Sequence, residues 1–253
     1  NLPTIQETLK KNKVKINRAL GQNFLFDLNL TDKIVKQSKP IASTIIEIGS
    51  GPGSLTRSIL KNKSAIVYAI DKDMKSEKML SELKTIYKDK LKIIIGDAID
   101  YPIWNLGEAP RQVIANLPYN VGTKMLVTWL KYIHNFDLLT LMFQKEVAER
   151  IVAKPGSKNY GRLSILINWL TESSILFDVP SEAFIPKPKV NSSVIQLKPL
   201  SKPLYNVSFE SLEKITHMAF SQKRKMLKTS LKKINGEKIL NCLLYTSDAA
   251  DEV

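Results

Sequence analysis

The sequence of 253 residues predicts an α/β fold: a doubly wound parallel sheet followed by a small C-terminal helical domain. Three observations carry that prediction. Short apolar runs rich in Ile and Val alternate with longer segments of helical periodicity. The first run is followed at once by a glycine-rich turn. The runs that follow it stop at or beside single polar residues, Asp71, Asp97 and Asn116, as parallel strands do where they present side chains to a ligand crevice.

Residues 1–20 are polar and basic, with Lys10, Lys11, Lys13, Lys15 and Arg18, and read either as a solvated arm or as one that contacts phosphates. Gly21-Gln22-Asn23-Phe24-Leu25 interrupts that run. A helix is expected to start near Asp27 or Asn29, with Leu30, Ile34 and Val35 on one face. Residues 44–48 form a first buried strand, Gly49-Ser50-Gly51-Pro52-Gly53 a tight turn, and a helix begins at Leu55. A second strand covers 65–70 and ends in Asp71. Helical spacing of Met79, Leu80, Leu83 and Ile86 marks a helix over 74–87. The third strand, 91–95, runs into Gly96-Asp97-Ala98, and the fourth, 112–115, into Asn116-Leu117-Pro118-Tyr119. A helix over 124–132 and a fifth strand over 138–143 complete the alternation, which implies a parallel sheet covered on both faces. Helices over 145–153 and 163–170 flank a basic, turn-rich loop. Late strands are expected over 174–179 and 193–197, with Pro186-Lys187-Pro188-Lys189 between them. Pro199 and Pro203 bracket a linker, and 209–220 and 223–234 read as helices. The expected organisation is a catalytic domain over 1–200 and a helical RNA-binding domain over 201–242. Residues 243–253 hold three acidic residues and no Lys or Arg. They resemble a peptide translated from adaptor DNA, so they are set aside as non-native and the helical domain is expected to be truncated.

Charge narrows the partner. Thirty-eight Lys and Arg against 24 Asp and Glu give a net charge of +14, a field that favours polyanions, nucleic acid first. The bias peaks over 187–238, with 12 Lys or Arg against 3 Asp or Glu. Cys242 is the only cysteine, which excludes an intrachain disulfide or a cysteine-based zinc site, and with His134 and His217 as the only histidines no metal site is expected. No apolar stretch approaches the ~20 residues of a membrane span, and no charged-then-apolar leader opens the chain. A reducing, cytoplasmic setting and no membrane partner are the expectation.

Four signals define the candidate site. Gly49 and Gly51 let the backbone approach a ligand and turn into a helix, although Ser54 breaks a G-x-G-x-x-G pattern. Asp71 can accept hydrogen bonds from two ribose hydroxyls. Asp97 suits an adenine amino group, and Asn116 opens Asn-Leu-Pro-Tyr. A dinucleotide accounts for Asp71 but leaves Asp97 and Asn116 unexplained. S-adenosyl-L-methionine accounts for all four and, lacking a pyrophosphate, needs no phosphate fingerprint. An Asn, a spacer, a Pro and an aromatic suit methylation of a planar amino nitrogen. The N6 lone pair of adenine is delocalised into the ring. Acceptance of its two hydrogens by the Asn116 side chain and a carbonyl near Leu117 would turn the lone pair toward a methyl donor. Pro118 fixes the turn, and Tyr119 offers a stacking face.

The ordered set of 20–25, 47–53, 116–120, 144–147, 159–164, 184–190 and 219–225 resembles the small-subunit ribosomal RNA adenine N6,N6-dimethyltransferase family across most of the chain. The resemblance implies a Rossmann-like class I methyltransferase sheet, with cofactor contacts at Asn23, Leu25, Gly49, Asp71, Asp97 and Asn116. It implies that Tyr119 and Phe184 face the target base. It further implies that two adjacent adenines near the 3′ end of small-subunit rRNA, in a 30S-type particle, each receive two methyls during ribosome biogenesis, after leaving their stack. Lys187, Lys189, Lys223, Arg224, Lys225 and Lys228 are the candidate RNA contacts, and a monomer is expected. Asp71 departs from the family's more usual glutamate, and either carboxylate can hold a ribose diol. Two other readings share parts of the pattern: a large-subunit rRNA adenine methyltransferase of the antibiotic-resistance type, and a non-catalytic rRNA-binding assembly factor.

Overall fold

Seven strands form one sheet in a computed structural model of the chain, which describes residues 2–12, 23–62, 64–221 and 227–234. In chain order the strands are β1 (Phe24–Leu25), β2 (Thr44–Ile48), β3 (Ile66–Asp71), β4 (Leu91–Ile95), β5 (Arg111–Asn116), β6 (Leu138–Gln144), β7 (Thr171–Val179), β8 (Phe184–Ile185) and β9 (Ser192–Pro199). The large sheet has the order β4-β3-β2-β5-β6-β9-β7. Pairing from β4 through to β6 is parallel. The apolar runs make this so: β2 is buried along its whole length, as a strand covered on both faces must be.

Strand order reverses beside β2, with β3 and β4 on one side and β5 and β6 on the other. At such a switch point the two flanking crossovers diverge and leave a crevice at the strands' carboxyl ends. The helices on the two faces are α2 (Leu28–Gln37), α3 (Ser54–Leu60), α4 (Lys75–Tyr87), α5 (Gly122–Leu130), α6 (Lys145–Val152) and α7 (Arg162–Leu170), with α1 (Ile5–Lys11) before them. One apolar cluster lies under α5 and α7 around Ile46, Val113, Trp129 and Leu141. A second lies under α2, α3 and α4 around Ile45, Ile59, Val67 and Leu80.

Two expectations are corrected. The sheet is not parallel throughout: β9 pairs antiparallel with both β6 and β7. A parallel partner needs a covering crossover, whereas the segment between β7 and β9 carries only a short turn and β8, so the chain returns alongside itself. The basic N-terminal arm is, over its described part, a docked helix. Thr4 and Glu7 form a capping box, Ile5 and Thr8 are buried, and Arg57 donates to the Pro3 carbonyl at 2.6 Å. Lys13, Lys15 and Arg18 lie outside the described residues, as do Gly21, Gln22, Lys223, Arg224, Lys225 and all of 235–253, which include Cys242; of Lys228 only the backbone is described.

Beyond the sheet come α8 (Phe209–Phe220) and α9 (Leu227–Ser230). Ser208 caps α8, and the helix docks on α7. The Trp169 and Phe209 rings lie 6.3 Å apart, Trp169 Nε1 donates to the Tyr205 carbonyl at 2.8 Å, and Arg162 pairs with Glu213 at 2.7 Å. Among the described residues no helix is long and apolar enough to cross a membrane, and no cluster of His, Cys, Asp and Glu is placed to hold a metal.

Candidate active site

A cleft of about 860 Å³ opens at the switch point, lined by the ends of β2, β3, β4 and β5 and by the start of α5. It brings together Asn23, Gly49, Asp71, Asp97, Asn116, Leu117, Pro118 and Tyr119, residues scattered over nearly a hundred positions of the chain.

The glycine turn builds one wall. Gly49 has φ +74° and Gly51 φ +50°, a backbone region that favours glycine. A Cβ on Gly51 would sit 2.5 Å from Cε1 of Phe24, so the Phe24 ring lies directly on the turn. The Gly51 amide donates to Asp71 Oδ2 at 2.8 Å and the Asp73 amide to Asp71 Oδ1 at 2.9 Å. Two backbone donors thus fix the Asp71 carboxylate, and each oxygen keeps a lone pair for a ribose hydroxyl.

Asp97 is similarly held. Its Oδ1 accepts from the Ile99 amide at 3.0 Å and its Oδ2 from Lys72 Nζ at 2.9 Å. The Ile99 amide first, and then Lys72, hold its carboxyl below the usual range. Behind the turn Glu47 is buried. Burial pushes its carboxyl up to about 8, Thr56 beside it opposes the shift, and the Asp71 charge adds to it.

At the end of β5, Asn116 Nδ2 donates to the Asn23 carbonyl at 2.9 Å. The amide nitrogen is thereby engaged with protein, which leaves the amide oxygen as the end for a ligand. The Pro118 carbonyl accepts from the Val121 and Gly122 amides as α5 begins, so it is already engaged with protein. Leu117 itself is buried. Tyr119 Oη lies 2.6 Å from Ser192 Oγ on β9, and burial raises its hydroxyl above the ordinary tyrosine value. The ring is therefore held at both its backbone and its hydroxyl.

Three expected site residues sit elsewhere. Leu25 is 4% exposed and Phe184 2% exposed, and neither lines the cleft. They face each other across the antiparallel pair β1–β8 and join the apolar cluster beneath it. Alternation along a strand decides this: Phe24, next to Leu25, takes the cleft side, and Ile185, next to Phe184, is 43% exposed. Gly51 is under Phe24 and serves the cleft through Asp71, not as wall. Of the expected RNA contacts, Lys187 pairs with Glu182 and Lys189 is exposed. Sequence reasoning passed over Phe24 and Lys72 as site residues. The glycine at 51 was a signal for a ring packed on it; nothing local marks Lys72 as the partner of Asp97.

Comparison with known proteins converges on one family. The family model described as ribosomal RNA adenine dimethylase matches residues 13–251. The ribosomal RNA small subunit methyltransferase A of Rhodospirillum rubrum is 48% identical over 232 residues, 91% of this chain and 81% of the relative. The protein of the same name from Sinorhizobium medicae is 45% identical, covering 94% of this chain and 88% of the relative. Among solved structures, a dimethyladenosine transferase from Plasmodium falciparum superposes with a TM-score of 0.71 at 31% identity, over 83% of this chain and 74% of the other. The 23S rRNA methyltransferase ErmE shares the fold, with a TM-score of 0.66 at 23% identity over 83% of this chain and 84% of the other. A sheet with its switch-point cleft, a carboxylate at each of two strand ends and Asn-Leu-Pro-Tyr at a third meet these matches along nearly the whole chain, which belongs to the ribosomal RNA adenine dimethylase family.

Proposed function

We propose that the protein transfers methyl groups from S-adenosyl-L-methionine to N6 of two adjacent adenines of small-subunit rRNA, two to each. The single observation that carries the reading is the polarity of Asn116: its nitrogen is engaged by the Asn23 carbonyl, so its oxygen faces the cleft as an acceptor for an exocyclic amine.

The cofactor, when bound, supplies a methyl group on positively charged sulfur. The residues present fit it. Asp71 offers a prearranged carboxylate for the ribose diol, Asp97 offers an acceptor for an adenine amino group, and Gly49 admits the ligand's approach to the backbone. The chain's own work is positioning. In the first transfer Asn116 Oδ1 and the Leu117 carbonyl each accept one hydrogen of the target N6, which turns its lone pair out of the ring plane and toward the methyl; in the second, a single acceptor holds the one hydrogen that remains. Tyr119, with its hydroxyl held by Ser192, presents a ring for the extruded base to stack on. In each transfer N6 would take the methyl from sulfur, the neutral thioether would leave, and the displaced N6 proton would pass to solvent. We assign the reaction to a monomer acting in the cytoplasm on rRNA within a 30S-type particle, a step of ribosome biogenesis, with the surplus positive charge drawing in the polyanion.

Labelled cofactor incubated with unmodified 30S and 50S particles, followed by mass spectrometry of rRNA fragments, tests this. Two neighbouring dimethyladenines in the small-subunit rRNA are the expected product. Label confined to 50S, or no transfer to either particle, refutes the reading.

A further inference from the structure

A second concavity, about 520 Å³, lies on the outer side of α5, between it, α7 and α8. Lys124, Val127, Thr128 and Lys131 line it at the spacing i, i+3, i+4, i+7, so they form one stripe along two turns of α5. Its floor is Val127, Leu163 and Leu166. Its one acid, Glu213, is neutralised by Arg162 at 2.7 Å. Lys124 is exposed and Lys131 rests over the Phe209 ring at 5.3 Å, and neither forms an ion pair with a described residue. The groove thus presents two exposed cations, neither in an ion pair with a described residue, about 10 Å apart along the helix. The same helix walls the reaction cleft with Val121 and Met125. Lys124 is near enough to Asp97 for its charge to help hold that carboxyl down. Cleft and groove are therefore two sides of one helix.

We propose that this groove takes the phosphodiester backbone of the RNA strand that runs on from the extruded adenine, with one phosphate at Lys124 and one at Lys131. The inference rests on the rRNA methyltransfer reading above and assigns a contact surface within it. A protein partner fits less well, since the exposed groups along the stripe are the two cations, which meet phosphate oxygens, while the Thr128 hydroxyl donates back to the Lys124 carbonyl at 3.1 Å.

The test uses the full chain and a short RNA hairpin whose loop carries two adjacent unmodified adenines, with binding followed by fluorescence anisotropy across a salt series. The Lys124→Gln/Lys131→Gln double variant should lower the slope of log affinity against log salt by about 1.4 to 1.8, two phosphate contacts at roughly 0.7 to 0.9 each. The Lys124→Arg/Lys131→Arg variant should restore it, and melting temperature should not move. An unchanged slope in the Gln variant, with wild-type hairpin binding and 30S methylation intact, overturns the groove and leaves the proposed reaction standing. An equal loss from Lys36→Gln/Lys39→Gln, exposed lysines that line neither cleft nor groove, also overturns it, because net charge alone would then be responsible. A wild-type protein that neither binds the hairpin nor methylates 30S overturns both readings.

Discussion

Replacing Asn116 with alanine separates alignment of the nucleophile from retention of the cofactor. The side chain has two roles: its nitrogen bonds the Asn23 carbonyl at 2.9 Å, and its oxygen, in a residue that lines the cleft, is the acceptor proposed for the reacting amine. Losing the first leaves the Asn23 carbonyl without that hydrogen bond, at a cost of about 1 kcal/mol. Because Asn23 borders the cleft, that cost limits the expected weakening of S-adenosylhomocysteine binding to about fivefold. Losing the second removes a preorganised partner of the reacting amine, a change worth roughly 3–4 kcal/mol of barrier, or 10²–10³ in rate. Single-turnover transfer of labelled methyl to unmodified 30S gives the rate, and calorimetry with S-adenosylhomocysteine gives the affinity. Asn116→Asp sharpens the contrast, since it keeps an acceptor toward the amine but sets an oxygen against the Asn23 carbonyl. A transfer rate within about threefold of wild type in Asn116→Ala refutes the alignment mechanism. So does a rate loss wholly matched by the loss of affinity, which would make Asn116 a cofactor-holding residue only.

Three further outcomes follow from the same geometry. Gly51→Ala places a Cβ 2.5 Å from the Phe24 ring at φ +50°. It should lower stability by about 1–3 kcal/mol and weaken cofactor binding through Asp71; an unchanged melting temperature and affinity would show that the turn is not under Phe24. Tyr119→Phe loses only the bond to Ser192 and should act mildly, whereas Tyr119→Ala loses a stacking face worth ~1–3 kcal/mol per base and should lower kcat/KM on 30S about 10- to 100-fold; equal effects would assign the role to the hydroxyl. Glu47 sets a pH dependence. Its folded carboxyl titrates near 8 against an ordinary 4.5, so between these values the folded state binds the extra proton and stability falls as pH rises, levelling above about 8. Asp32, Asp97 and Asp178 are shifted the other way and lose their contribution only below the ordinary carboxylate range. Melting temperature should thus fall from pH 5 to pH 8 in wild type and be flatter in Glu47→Gln; parallel curves would contradict the buried neutral carboxyl.

Most of the sheet was legible because its signals are local. An apolar run of β-branched residues that stops at a polar side chain says strand and strand end, and Asp71, Asp97 and Asn116 all line the cleft. The last two strands were legible as strands but not in direction, since direction depends on what connects them: β9 lies antiparallel between β6 and β7. Leu25 and Phe184 lie off the cleft lining for a related reason. A strand of two residues has no periodicity to read, so which side chain faces the cleft is settled by its pairing with a distant segment. The basic arm became a docked helix because Thr4 and Glu7 cap it and Arg57, far along the chain, takes the Pro3 carbonyl.

By itself the sequence determined the order of the long strands and of the helices between them, the polar residues that end the strands, and the charge that draws a polyanion. These depend on period, composition and the few residues that tolerate a sharp turn, which act over neighbours. Tertiary structure alone decided what each of those polar groups can do. Asp71 is fixed by the Gly51 amide, Asp97 is held by Ile99 and Lys72, and Asn116 is oriented by Asn23. The reason is physical: a hydrogen bond's direction belongs to both partners, and here all but one of those partners come from other segments of the chain, brought within 3 Å only where the strand ends converge at the switch point.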